Sequence, residues 1–103
     1  MTKLETTSWI FLALAISSEK APTNFAEISQ IADGINHSIP TQNELQESIT
    51  WLIQNNLVLK KSKKFSLTET GKIIYLEAQN ETRILIKMWK AIEIQLTKMK
   101  SVV

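Results

Sequence analysis

A chain of 103 residues is the size of one domain with a modest core, and 44% hydrophobic with 21% charged residues is a globular composition, neither disordered nor membrane-embedded. Two glycines and two prolines are too few for an all-β fold with many tight turns, so helices are favoured. Cysteine is absent, which excludes a disulfide framework, a thiolate metal site and a cysteine nucleophile, and fits a reducing cytosol.

The formal charge of +2 is unevenly spread. Residues 1–58 set Lys3 and Lys20 against six carboxylates, Glu5, Glu19, Glu27, Asp33, Glu44 and Glu47. Residues 59–103 set ten basic side chains against four acidic ones, Glu69, Glu77, Glu81 and Glu93. The basic half is where a polyanion would be held.

Trp9 to Ile16 is an unbroken apolar run, and Ala15-Ile16-Ser17 has the small residues of a cleavage site. Lys3 is offset by Glu5, however, and the run is short for a signal peptide and far too short for a spanning helix. It reads as a first helix over about 7–18, apolar nearly all round and therefore covered on more than one side. A cytoplasmic protein without a membrane partner is expected. Pro22 ends the helix.

A second helix starts after Thr23 or Asn24. Phe25, Ile28, Ile31, Ala32 and Ile35 form its apolar face, and Gly34 and Asn36 mark its end. The third has a capping box, Thr41 with Glu44, and a buried stripe of Leu45, Ile49, Leu52 and Ile53 before Asn55-Asn56 stops it. In the segment 57–68, Leu57, Leu59, Phe65 and Leu67 alternate with more polar residues as in a hairpin with one buried face. No glycine lies at its tip, so a four-residue loop is expected over a two-residue primed turn. The remainder reads as helix to about residue 100, with a kink or break at Asn80-Glu81-Thr82. Beyond it Leu85, Met88, Trp89, Ile92, Leu96, Met99 and Val103 make a stripe that calls for a partner helix.

The passage Leu52-Ile53-Gln54-Asn55-Asn56-Leu57-Val58, then Phe65-Ser66-Leu67-Thr68-Glu69-Thr70-Gly71, resembles the helix–wing–helix join of the MarR and PadR families of bacterial regulators. The resemblance covers roughly residues 7–80. Asn56 stands where those families have glycine, and the 34–40 connection is longer than a usual helix-turn-helix turn. The fold implied is mainly α: a winged helix-turn-helix of three helices and a two-stranded β-wing, with a long C-terminal helix. The division expected is a winged-helix domain over 1–78 and a dimerisation helix over 79–103, in one compact unit. The function implied is a DNA-binding transcriptional regulator acting as a homodimer.

The residues fit that reading unequally. Helical projection puts Asn43, Gln46, Glu47, Thr50 and Gln54 on the outside of the third helix, where amides could pair with adenine and the carboxylate with cytosine. That face has no arginine or lysine. Lys60, Lys61, Lys63 and Lys64 cluster in the hairpin, which in the resembled families lies on the DNA backbone or minor groove, and phosphate contacts release counterions. The dimer interface expected is Leu85, Met88, Trp89, Ile92, Leu96 and Met99. No catalytic motif, cofactor loop or metal-ligand spacing is present, His37 reads as a surface histidine, and no enzyme activity is expected. Trp9 and Trp89 read as core or interface, with an effector pocket between them as the other option. The competing reading is a winged-helix protein-interaction module without DNA affinity, favoured by the acidic first half.

Overall fold

The computed structural model describes residues 1–102, and side chains of residues 1–99. Five helices and one hairpin follow in the order α1 (Lys3–Ser17), α2 (Phe25–Asn36), α3 (Gln42–Gln54), β1 (Val58–Lys61), β2 (Lys64–Leu67), α4 (Glu69–Glu81) and α5 (Leu85–Val102).

α1 is the central element. Every residue from Thr6 to Ala15 is buried, because α2, α3 and α5 pack around it. It begins at Lys3, about one turn earlier than the expected start at residue 7. Thr2 Oγ1 accepts from the Glu5 N–H at 3.1 Å while the Glu5 carboxylate accepts from the Thr2 N–H at 2.8 Å, a capping box like that of α3. Thr6 and Ser8 bond back within the helix, to the Thr2 and Leu4 carbonyls, while Thr7 donates across to Ser48 Oγ of α3 at 3.4 Å. Trp9 donates its indole N–H to the Ala32 carbonyl at 2.9 Å and ties α1 to α2.

α2 is capped by Asn24 and continues through Gly34, so glycine does not end it. His37, at φ 54, takes the left-handed position that stops the helix, and only residues 37–41 connect it to α3. α3 starts at the expected capping box, with Thr41 and Glu44 bonded reciprocally at 3.0 and 2.8 Å. Asn56, at φ 60, turns the chain into the hairpin. Ile53 does not join the buried stripe; it is exposed on the flank facing β1 and β2.

The hairpin pairs Val58 with Leu67 and Lys61 with Lys64, leaving Ser62-Lys63 as a two-residue turn. Both turn residues have positive φ, 51 and 66, the signature of the primed turns that match strand twist, in place of the expected four-residue loop. This register also corrects the alternation. Val58 faces the core opposite Leu67, and Leu59 points outward, exposed. Thr23 adds a single bridge to the outer edge of β2, its N–H and carbonyl each bonded to Phe65 at 2.8 Å.

The chain breaks between α4 and α5 at residues 82–84, overlapping the expected break at Thr82. α5 then folds back onto α1. Met88, Ile92 and Leu96 are buried within the single chain, and Trp89 and Met99 pack half-buried beside them. The stripe expected to meet a partner helix is thus covered at these positions within the single chain. A sequence stripe shows that a face is buried but not by what, and α1, apolar all round, is the cover. The extents of 29 × 28 × 27 Å leave no helix projecting, since α5 itself is about 27 Å long. Val103, at the end of the expected stripe, lies outside the described residues.

Candidate nucleic-acid interface

All five polar residues expected on the third helix lie on the exposed side of α3, a consequence of burying Leu45, Ser48, Ile49 and Leu52 beneath it. They are partly bonded to one another. Asn43 Nδ2 donates to Glu47 Oε1 at 3.2 Å, and Gln46 Nε2 to Thr50 Oγ1 at 3.4 Å. One flank of α3 forms a groove with the N-terminal turn of α1, where Lys3 and Leu4 stand beside Glu47, Thr50 and Gln54. Sequence reasoning missed this neighbour because it began α1 at residue 7.

The four hairpin lysines are all exposed and form no ion pair with any described residue. Strand alternation divides them. Lys60 is the cross-strand partner of Phe65 and shares its face, whereas Lys61 and Lys64 stand opposite each other on the other face with Leu59 and Ser66. Like charges directly across a strand pair repel, so the Lys61–Lys64 couple favours an anion between them. Lys63 sits at the turn. Lys60 alone lines the cleft of about 200 Å³ between hairpin and α3, with Gln46, Thr50, Ile53 and Gln54 as its opposite wall. At the base of that cleft Phe65 stacks on Phe25 at 5.4 Å with the rings 6° from parallel.

On the other side of the hairpin a groove of about 990 Å³ runs between the α1–α2 link and α4. Tyr75 lies in its wall and donates its phenol to Glu19 Oε2 at 2.6 Å. Burial first, and the neighbouring Glu19 second, push the phenol above its ordinary value.

His37 is an exposed helix terminus. Among the described residues no group of three histidine, cysteine, aspartate or glutamate side chains could hold a metal ion. No helix among them is long and apolar enough to cross a membrane. Trp9 and Trp89 meet each other at 6.1 Å, tilted by 32°. Trp89 donates to the Glu5 carbonyl at 2.9 Å and to Ser8 Oγ at 3.1 Å, so both indoles are anchors between helices. Of the expected interface, Leu85 alone is exposed, at 40%. Larger apolar exposure lies where the stripe did not point: Ile73, Leu76, Ile84, Ile86 and Ile94. The chain matches no protein-family model, and no curated protein or solved structure is measurably similar to it.

Proposed function

We propose that the chain is a winged helix-turn-helix domain that binds duplex DNA as a transcriptional regulator, with the hairpin as wing and α3 as the helix laid toward the major groove. The observation that carries this reading is the hairpin itself: four exposed lysines without carboxylate partners, one of which, Lys60, stands beside the amides and hydroxyl of the α3 face. Phosphates would supply the missing counter-charge, and the exposed side chains of α3 would meet base edges. No catalytic role is assigned to any residue. A homodimer remains part of the proposal, but its surface would be the outer aliphatics of α4 and α5, such as Ile73, Leu76 and Ile94.

Binding to a random-sequence duplex, titrated with salt, tests the reading. Replacing Lys60, Lys61, Lys63 and Lys64 together by alanine should weaken binding and reduce the log–log salt slope by about 0.9 for each phosphate no longer neutralised. An unchanged slope would place the basic surface elsewhere. The carboxylates Glu44 and Glu47, both lining the groove on the α1 flank of α3, favour a protein-interaction module as the second reading. No duplex binding at low salt would select it.

A further inference from the structure

The exposed face of α3 lacks the one chemistry most used to read a guanine. Asn43, Gln46, Thr50 and Gln54 can donate and accept, and Glu47 can only accept, but α3 has no cation to offer the paired guanine acceptors N7 and O6. Other elements supply two cations on that side of the molecule: Lys3 on the α1 flank, where Glu44 and Glu47 share its groove, and Lys60 on the hairpin flank, whose cleft has no carboxylate in its lining. Lys60 of β1 shares a face of the hairpin with the core ring Phe65 of β2, which directs it to the cleft walled by Gln46, Thr50 and Gln54. Lys61 and Lys64 face away from that cleft, and Lys63 occupies the turn.

We infer that the lysine cluster is two functional units, in which Lys60 is a specificity-determining residue that completes the base-reading surface of α3, while Lys61 and Lys64 anchor phosphates. The inference rests on the proposed DNA binding and deepens it. Its geometry is fixed by three features independent of the charge pattern. The Ser62-Lys63 turn sets the strand register, and a one-residue slip would send Lys60 to the opposite face. The Phe25–Phe65 stack and the Thr23–Phe65 bridge hold that register against the core. Lys60 has no hydrogen-bond or ion-pair partner among the described residues, so its ammonium is available to a ligand.

The test is sequence selection from a pool of duplexes with a randomised central segment, followed by affinity measurements on the selected duplexes. Wild type is compared with Lys60→Ala, Lys60→Arg and the double variant Lys61→Ala/Lys64→Ala, each checked for an unchanged thermal transition. Lys60→Ala should lose preference at a guanine position by at least about fivefold, and Lys60→Arg should restore it. The double variant should select the same sequence as wild type with uniformly weaker affinity and a shallower salt slope. If Lys60→Ala weakens all duplexes equally and selects the wild-type sequence, Lys60 is another phosphate anchor and the inference is overturned. Wild type binding the pool without enriching any sequence also overturns it, while leaving DNA binding in place. Wild type failing to bind the pool at low salt ends both.

Discussion

A β-carbon on Gly71 would overlap the carbonyl oxygen of Leu57. That approach is set by Thr68, whose N–H donates to the Leu57 carbonyl at 3.1 Å and whose hydroxyl donates to the Asn56 carbonyl at 2.7 Å while capping α4 through the Gly71 N–H at 3.0 Å. The leucine-threonine-x-x-glycine sequence thus has a local cause: it clamps the start of α4 onto the chain leaving α3, and so fixes where the hairpin stands.

Gly71→Ala should therefore destabilise, although alanine is the better helix former. The clash is with backbone, which cannot swing aside, and overpacking of this kind costs about 1–3 kcal/mol. Gly34, also helical, has open space where a Cβ would go, so Gly34→Ala should stabilise by up to about 1 kcal/mol. Thermal unfolding of the pair should show shifts of opposite sign. A rise for Gly71→Ala would mean that the Leu57–Gly71 approach is not fixed.

Residues whose signal is local were legible in the sequence. The capping box at Thr41, the left-handed Asn56 and the threonine-glycine spacing of Thr68 and Gly71 each name their own geometry. The missed first turn of α1 was equally local, since Thr2 and Glu5 repeat the Thr41–Glu44 pattern; the apolar run drew the boundary to where hydrophobicity begins. Hairpin parity was not legible, because Leu57, Val58 and Leu59 are all apolar and only the turn length decides which faces inward. The covering of α5 is a tertiary choice between α1 of the same chain and a second copy, and both satisfy the same stripe. The candidate site followed the same division. Exposure of the α3 residues came from helical period, whereas the separation of Lys60 from Lys61 and Lys64 depends on the turn.

The turn itself is strained in a way that can be relieved. Serine and lysine both adopt positive φ there, where asparagine and glycine are preferred. Ser62→Asn with Lys63→Gly should raise stability by about 1 kcal/mol, a shift of about 4–8 °C for a domain this size. Scanning calorimetry checks it. No gain would mean the turn is not of the primed type.

Tyr75 is the only tyrosine in the chain, so its ionisation can be followed directly by ultraviolet absorbance. Its folded value lies above its unfolded value of about 10, so the folded state holds the proton more tightly. Below about pH 10 both states are protonated and the shift has no effect; above it stability falls as pH rises, because only the unfolded chain gains by releasing the proton. Tyr75→Phe should remove that part of the alkaline loss. Glu19→Gln should lower the phenol only partway, because burial is the larger cause. Full return to the ordinary value in Glu19→Gln would reverse that ranking.

Assembly can be tested by separating the two faces of α5. Ile92 and Leu96 are fully buried against the chain's own core, where each contributes roughly 1.5–3 kcal/mol by burial. A glutamate at either position would bury an unpaired carboxylate as well, so Ile92→Glu or Leu96→Glu should unfold the domain and not yield folded monomers. Ile94 is 50% exposed on the same helix, and Ile73 and Leu76 are each 56% exposed on α4. Glutamate at these positions leaves the core intact, so Ile94→Glu and the pair Ile73→Glu/Leu76→Glu should retain wild-type helicity and near-wild-type thermal stability. If the outer aliphatics join two copies, wild type sediments as a dimer at micromolar concentration, and at least one of these variants sediments as a folded monomer. The monomer should also bind a duplex more weakly, since a two-fold reader then engages one half-site in place of two. A wild type that sediments as a monomer over that range would remove the homodimer from the proposal and leave one copy as the DNA-binding unit.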